Sequence, residues 1–573
     1  MNAETLRAIS GTEHWPKLTE PSQAYLVVEK LLSQKLVDHA HTLINMSLQL
    51  WPDDSKLRLI KGDVLFAVTS DDAALNHFIT LLEIKNLQPW AIGRLSYGLA
   101  TKQNVEGNSL SRLIDRVKDL EIEKKLLDRV FLSIIKCCSE KDKISLLKII
   151  TKTSDNYIFK WRYAVSLFDA GKFDLALAYL EGMHLNEPGT SFSLMLHANL
   201  LSTQGNFVKA TQLLERENNK DILDAHAYRL LISLKQVQMQ FVEAGELLES
   251  CLAKWPEDWI LIFRLNKSPL PEILFEKIFQ NLSEYFDLYP LKYAELGYEF
   301  AITCLQAGAI GKAKKLLNEI LTDPKCNAKA RNLLEGLSKN NFSDSQFKNS
   351  RFKDDRCSDF QIVRSTKPST TAIIVFAMNS INDWPLEMID STLESLNSHI
   401  IYLRDFQRKA FLGGVKSLGN SEKETIEKLH VVLNHLGIDN IITLGASFCG
   451  YAAFKYGATL QAKHAISYAG PNNLHTYYSD TPPSVWNYLY FIQLKTNRPE
   501  YVANDLLPLI VDSTATTFHQ FYGGANSRDS IQAERLSALT NVLITKIQGV
   551  DDHAVVNQLI KDDTFVNYIS KLI

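Results

Sequence analysis

The sequence predicts two architectures in one chain: an all-α helical-repeat solenoid in the N-terminal part, and an α/β, doubly wound and mostly parallel sheet in the C-terminal part. Two observations predict this division. A short pattern recurs at 34-residue intervals before residue 340, and apolar runs alternate with helical patterns after residue 359. A chain of 573 residues also exceeds the size of a single hydrophobic core.

The recurring pattern runs from a turn residue to an alanine. It reads Gly171-Lys-Phe-Asp-Leu-Ala176, then Gly205-Asn-Phe-Val-Lys-Ala210, then Met239-Gln-Phe-Val-Glu-Ala244, and the successive alanines are 34 residues apart. Glycine turns the chain between two helices, and alanine lets the second helix approach the first. Further copies of the alanine or of the whole pattern occur at Ala40, Ala74 and Gly308–Ala313, and prolines end units at 52, 188, 256 and 324.

A helix–turn–helix unit of this length resembles the tetratricopeptide repeat, and we assign residues 1–337 to such a repeat domain. Each unit buries little surface alone, so the array is stabilised by stacking. Repeats of this kind form a concave groove, and the resemblance implies a protein or peptide partner bound there. No cluster of basic or amide residues identifies that partner.

Residues 338–358 predict a linker, because the segment is polar and contains no aliphatic side chain. Its three phenylalanines, Phe342, Phe347 and Phe352, recur at five-residue spacing and indicate that the linker lies against a surface. A cut in this region is expected to leave a C-terminal piece, 356–573, that folds by itself.

The pattern of residues 359–573 predicts a sheet of six or seven strands. This part of the chain is too short to include an antiparallel meander before the parallel strands. A helical pattern, Ile531–Leu539, precedes the last strand. The apolar runs that predict strands are 371–376, 399–403, 440–444, 464–469, 517–523 and 541–547.

The strand at 440–444 runs directly into Gly445-Ala-Ser447-Phe-Cys-Gly450, and a helix rich in small residues follows. This order mounts a serine on a tight turn with its hydroxyl exposed, an arrangement called the nucleophile elbow. Gly445 and Gly450 supply the space that the turn needs. Cys449 stands where the commonest form of the motif has glycine, and we interpret it as a packing residue and Ser447 as the nucleophile.

A serine nucleophile needs a base and an acid later in the chain. Asp529 follows the strand at 517–523, and His553 follows the last strand. Loops at the carboxyl ends of neighbouring parallel strands converge, so these groups are expected to meet Ser447. The acid remains open between Asp529 and another carboxylate. Asn526, which is not an acid, stands nearer to the strand at 517–523, and Asp551 and Asp552 are too close in sequence to His553 to orient it easily.

Together these motifs resemble the α/β-hydrolase superfamily over Phe360–Ile573. The resemblance implies Ser447 as nucleophile, His553 as base and Asp529 as acid. It also implies an oxyanion hole made by backbone N–H groups of Phe448 and of Ala377 or Met378. Neither a metal nor another cofactor is implied.

Two further regions predict substrate contacts. Arg404 and Asp405 follow the strand at 399–403 and either contact substrate or hold the loops together. The insert 471–516 occupies the place where a cap enters in this superfamily, and its aromatic side chains include Trp486 and Tyr490. These rings either form a substrate pocket or pack the insert onto the body.

Composition excludes several classes of function. The formal net charge of −3 gives no bulk attraction to nucleic acid, and no apolar run is long enough to span a membrane. The amino terminus lacks the pattern of a signal peptide. Seven dispersed cysteines indicate reduced thiols, so we expect a cytoplasmic protein.

The predicted function is serine-dependent acyl transfer, by an ester hydrolase or an O-acyltransferase. Its partners are an acyl-ester substrate or an acyl acceptor. Similarity to small enzymes of the superfamily that acetylate bacterial surface polysaccharides implies a glycan or glycoprotein acceptor. The alternative is an inactive hydrolase-like scaffold or binding protein within a biosynthesis or secretion complex.

Overall fold

The computed structural model describes residues 18–68, 71–186, 189–218, 223–474 and 505–573. The chain forms two compact units, residues 1–188 and residues 189–573. Within the described residues, no helix has both the length and the apolar character needed to cross a membrane.

The described secondary structure of the first unit is helical apart from one β-bridge between Val105 and Cys138, and most consecutive helices pack against each other. Ala40 and Ala74 are fully buried, as the repeat spacing predicts, and Phe173 is the first residue of the last helix. Helices α1 to α10 are, in order, Pro21–Ser33, Val37–Leu50, Ser55–Val68, Asp71–Leu82, Gln88–Ala100, Gly107–Val117, Lys124–Cys137, Glu140–Thr153, Tyr157–Asp169 and Phe173–Asn186.

The second unit begins with further helices of the same kind. Helices α11 to α20 are, in order, Ser191–Thr203, Phe207–Asn218, Ala225–Val237, Phe241–Lys254, Trp259–Lys267, Glu272–Leu288, Ala294–Gln306, Ile310–Glu319, Asn327–Lys339 and Asp344–Lys348. Ala210 and Ala244, in α12 and α14, are fully buried, so the predicted register is confirmed. Both turns before these helices are left-handed, with φ of 76° at Gly205 and 61° at Met239.

A seven-stranded sheet follows in the same unit. Strands β1 to β9 are, in order, Phe360–Val363, Thr371–Ala377, Ser380–Ile381, Trp384–Pro385, His399–Arg404, Asn440–Ala446, His464–Tyr468, Thr517–Gly523 and Val542–Ile547. The order across the sheet is β1-β5-β2-β6-β7-β8-β9, and every pairing is parallel except that of β1 with β5. Strands β3 and β4 form a separate two-stranded hairpin.

Helices of the sheet region connect the parallel strands. Helices α21 to α27 are, in order, Leu386–Leu393, Glu422–His435, Phe448–Thr459, Leu507–Asp512, Ser527–Glu534, Val555–Lys561 and Thr564–Ser570, and a 3₁₀ helix spans Glu394–Leu396. The helix predicted at Ile531–Leu539 begins earlier, because the Asn526 side chain accepts a hydrogen bond from the N–H of Asp529 and caps α25 at residue 527.

The repeat helices and one face of the sheet share a hydrophobic core. One cluster of buried side chains extends from Ile232 in α13 to Ile569 in α27. The Trp384 ring is fully buried and lies so close to Gly336 in α19 that a Cβ at that glycine would overlap it. The Phe342 ring packs against the Trp384 ring, and the two ring centroids are 6.0 Å apart. Residues 189–573 therefore form one compact unit with a shared core.

The predicted linker is held by specific contacts. Phe342 and Phe352 are buried, and a short helix, α20, lies between them. Arg351 donates to the buried carboxylate of Asp390 at 2.7 Å, and Arg356 donates to the backbone oxygen of Gln306 at 2.8 Å. The phenylalanines pack against the rest of the unit, which agrees with the prediction that the segment lies against a surface. The boundaries at 337 and 359 stay a prediction, since the compact units divide at 188.

Candidate active site

The serine at the predicted elbow lies in a strained turn between β6 and α23. Ser447 has φ 56° and ψ −127°, a conformation that non-glycine residues rarely adopt and that is found at functional sites. Its N–H donates to the Tyr468 carbonyl at 2.8 Å, which ties the turn to β7. A Cβ at Gly445 would overlap the Cys449 carbonyl, so only glycine fits there.

This serine stands at the carboxyl end of a central strand in a parallel sheet of order 5-2-6-7-8-9, with one antiparallel strand at its edge. The order, the elbow and the helices between the strands define the architecture. The C-terminal part has an α/β-hydrolase fold. The helices before it are tetratricopeptide-like repeats.

Side chains from the elbow, from the first turn of α25 and from the loop after β9 form one hydrogen-bonded chain. The distance from His553 Nε2 to Ser447 Oγ is 2.8 Å. His553 Nδ1 lies 2.9 Å and 3.1 Å from the two carboxylate oxygens of Asp529. The Asp529 side chain is 1% exposed and that of His553 is 34% exposed. A buried carboxylate thus orients a histidine that remains open to the site.

The neighbouring polar residues make other contacts and do not face His553 Nδ1 in place of Asp529. Asn526 is the cap of α25 and donates to the Asp551 carbonyl at 3.3 Å, and Asp552 accepts from the N–H of Ala554 at 3.0 Å. The cap starts the helix early, which places Asp529 in the first turn and its carboxylate against the imidazole. Of the acids that the sequence left open, the structure brings Asp529 to His553.

The two predicted oxyanion positions border the same space. Phe448 is the first residue of α23, where N–H groups point out of the helix end, and Ala377 is the last residue of β2. Both residues and Met378 line the cavity into which Ser447 opens. Arg404 Nε donates to the Met378 carbonyl at 3.1 Å, which orients the peptide chain at the end of β2.

The cavity has a volume of about 430 Å³ and contains both Ser447 and His553 on its wall. Asp405 also lines it, but its carboxylate accepts from the N–H groups of Lys409 at 2.6 Å and Phe411 at 2.9 Å. Burial raises the pKa of Asp405, while these backbone donors oppose the rise. Asp405 therefore holds the loop that follows β5.

Arg404 does not line the cavity. Its guanidinium is buried, pairs with Asp354 and donates to the Ser358 carbonyl at 2.5 Å. The pair Arg404 and Asp405 thus has the loop-holding role that the sequence allowed. Trp486 and Tyr490, also predicted at the substrate pocket, lie outside the described residues.

Cys449 lines the cavity two residues after the serine. Burial raises the pKa of its thiol to about 12, with a smaller effect from Asp405. A thiol with this pKa stays protonated near neutral pH and is a poor nucleophile. Ser447, which has a base within hydrogen-bonding distance, is the better candidate.

Sequence reasoning missed the contribution of the repeat helices. Phe263, Arg264 and Lys267 of α15 line the cavity, as does Lys329 of α19. The Lys267 side chain donates a hydrogen bond to the sheet region. In the other direction, the Asn379 side chain donates to the backbone directly after α15. No repeat signature marks these residues, because α15 and Lys329 lie outside the copies of the 34-residue pattern.

No protein-family model matches the chain, and the curated proteins contain no match. Among solved structures, the capsule O-acetyltransferase of Neisseria meningitidis serogroup A is similar, with 19% identity, coverage of 37% of this chain and 90% of that chain, and a TM-score of 0.28. Est816, an N-acyl homoserine lactone degrading enzyme, shows 10% identity, coverage of 37% and 96%, and a TM-score of 0.23. The TPR domain of P58(IPK) shows 12% identity, coverage of 56% and 97%, and a TM-score of 0.18.

Proposed function

We propose that the protein is a serine-dependent acyl-transfer enzyme, an ester hydrolase or an O-acyltransferase. The observation that carries this proposal is the chain Asp529–His553–Ser447, with Nε2 to Oγ at 2.8 Å and a strained serine that opens into a cavity. An inactive scaffold would not need a serine in a costly backbone conformation beside an oriented imidazole.

The proposed reaction has two halves. His553 Nε2 accepts the Ser447 proton as Oγ attacks the acyl carbonyl, and Asp529 stabilises the imidazolium. The oxyanion is held by the N–H groups of Phe448 and of Ala377 or Met378. The leaving group takes the proton from His553, and an acyl-Ser447 ester remains. Water or a hydroxyl acceptor, such as that of a glycan or glycoprotein, then receives the acyl group by the reverse proton path.

Fluorophosphonate labelling tests the nucleophile directly, because an activated serine displaces fluoride from the reagent. We expect phosphonylation at Ser447 by peptide mass analysis, and no labelling of Ser447→Ala. Cys449→Ala is the matched control, since it changes a neighbouring cavity residue and should still be labelled. A wild-type protein that stays unlabelled would favour the binding-scaffold alternative.

Partner docking by the repeat helices and a cytoplasmic location remain predictions from the architecture and the composition. Pull-down with residues 18–186 as bait, compared with the full chain, would test the first. Binding that requires residues 189–573 alone would contradict a role for the first repeats.

A further inference from the structure

The lining of the cavity is rich in positive charge. Four cationic residues line the space: Arg264 and Lys267 of α15, Lys329 of α19, and Arg408 in the loop after β5. Two carboxylates, Asp383 and Asp405, line it as well. The cationic residues come from three separate elements, so their convergence is produced by the tertiary fold.

The most buried of these cations is Arg264, which is 4% exposed. Burial, and next the positive charges of Arg408 and Arg229, lower the pKa of its guanidinium to about 9. Its Nη1 donates to the Ser233 hydroxyl at 2.9 Å, a neutral acceptor. Like charges held together in a buried site raise the electrostatic potential there and favour an anion.

Arg408 and Lys267 also have neutral acceptors. Arg408 Nη2 donates to the Gln236 side-chain oxygen at 3.0 Å, and Lys267 Nζ donates to Ser380 Oγ at 2.9 Å and to the Asn382 carbonyl at 2.7 Å. Within the described ranges, Arg408 and Lys267 form no ion pair. The same holds for Lys329, which is exposed. Burial lowers the pKa of Arg408, and the charge of Asp405 opposes this decrease.

The two carboxylates of the cavity accept hydrogen bonds from neutral donors. Asp405 accepts from the backbone of its own loop. Asp383 accepts from Tyr298 Oη at 2.9 Å and from Asn557 Nδ2 at 2.8 Å. The loop at Arg408 is itself strained, with φ of 55° at Arg408, 52° at Ala410 and 61° at Phe411. This left-handed loop brings Arg408 to the wall of the cavity that also contains Ser447.

We infer that the substrate of the Ser447 site carries an anionic group, a phosphate or a carboxylate, which binds to Arg408, Lys267 and Arg264 while its ester reaches Ser447. The repeat helix α15 is then a specificity element of the active site. This inference rests on the proposed acyl-transfer function. The anionic group takes no part in bond making, because only the ester C–O bond breaks and the acyl–Oγ bond forms.

Matched aryl acetates test the inference with the full-length protein. The probes are 4-acetoxybenzoate, 4-acetoxyphenyl phosphate and the neutral methyl 4-acetoxybenzoate, all of which release a phenol. We expect kcat/KM for at least one anionic ester to exceed that of the neutral ester by about tenfold or more, the scale of a charge-assisted hydrogen bond. The better of the two anionic probes identifies phosphate or carboxylate as the group recognised.

Lys267→Gln and Arg408→Gln should each lower the ratio of anionic to neutral kcat/KM by about tenfold. Lys277→Gln is the control, because Lys277 is an exposed lysine of α16 that pairs with Glu249, and its ratio should match that of the wild type. Should Arg408→Gln melt well below the wild type, the Lys267→Gln ratio decides. Equal ratios in wild type and variants would overturn the inference.

A second measurement does not depend on ester turnover. Inorganic phosphate, or benzoate, should slow fluorophosphonate labelling of the wild type relative to chloride at equal ionic strength, and should slow labelling of Lys267→Gln less. Labelling that no anion slows would overturn the anionic substrate while leaving the serine nucleophile intact. Absence of labelling in all conditions would instead contradict the proposed function itself.

Discussion

At the residue scale, the proposed reaction depends on three side chains that are expected to act as one unit. Ser447→Ala and His553→Ala should each lower kcat/KM for aryl acetates by roughly 10,000-fold or more. The double variant should lose little beyond either single one. Asp529→Asn should cost less, because Asp529 orients the imidazole and supports its charge without contacting substrate.

Steady-state kinetics with 4-acetoxybenzoate, and thermal melts to verify folding, would measure these effects. Losses that multiply in the double variant would mean that Ser447 and His553 act independently. Wild-type activity in the Asp529→Asn variant would mean that another group orients the His553 imidazole.

Glu299 in α17 predicts a pH dependence of stability. Burial, then the charge of Asp383, raises its pKa from 4.5 to about 7. Between these two values the folded protein holds a proton that the unfolded chain has released. The free energy of unfolding therefore falls as pH rises through this window and is level above it.

Glu299→Gln should remove this slope, since glutamine keeps the shape without titrating. Urea unfolding of both proteins at about pH 5 and pH 8 measures it, and contributions of the other titratable groups cancel in the comparison. The same pH dependence in both proteins would show that Glu299 ionises freely in the folded state.

At the scale of an element, the close helix crossing at Ala210 can be tested by overpacking. Ala210 is fully buried in α12, so Ala210→Trp should destabilise the protein by about 1–3 kcal/mol. Val208 lies on the same helix and is 58% exposed, and Val208→Trp should leave the melting temperature nearly unchanged. Equal effects of the two substitutions would indicate that the register of α12 is wrong.

The hairpin of β3 and β4 can also be tested by overpacking, because its Trp384 joins the repeat helices to the sheet. Gly336→Leu would drive a side chain into the fully buried ring of Trp384. We expect a loss of at least about 2 kcal/mol in unfolding free energy, since a rigid ring has nowhere to move. Gly182→Leu, at a helical glycine of the first unit with open space around it, is the control, and denaturant unfolding is the measurement.

At the scale of the whole molecule, the shared core determines which fragments fold. The sequence predicts that residues 356–573 fold alone, but Leu333 and Leu337 of α19 belong to the same buried cluster as Trp384 and Ile560. Removal of the repeat helices would expose that face. We expect fragment 356–573 to be insoluble or to lack a cooperative melt, and fragment 189–573 to be folded.

Circular dichroism melts and analytical gel filtration of the two fragments would compare them. A cooperative melt of fragment 356–573 would support the predicted domain boundary at residue 359. Loss of folding in 189–573 would mean that the division at 188 is not a folding boundary.

Local pattern determined a large part of this protein. The elbow was recognisable because a strained turn requires small residues at Gly445 and Gly450, and the strands because a parallel sheet requires apolar runs. Repeat register followed from the buried alanines, such as Ala210 and Ala244, which the 34-residue spacing marks. The Ser–Asp–His order followed from the convergence of loops at one edge of a parallel sheet.

Only the tertiary structure decided the rest. The Asp529 carboxylate reaches His553 because Asn526 caps α25, which begins at Ser527, four residues before the predicted start at Ile531. Periodicity alone does not choose between such neighbouring starts. Arg264 and Lys267 line a cavity with Ser447 although about 180 residues separate them. Their place depends on how α15 packs against the β3–β4 hairpin, and contacts between side chains so distant in the chain leave no local pattern to read.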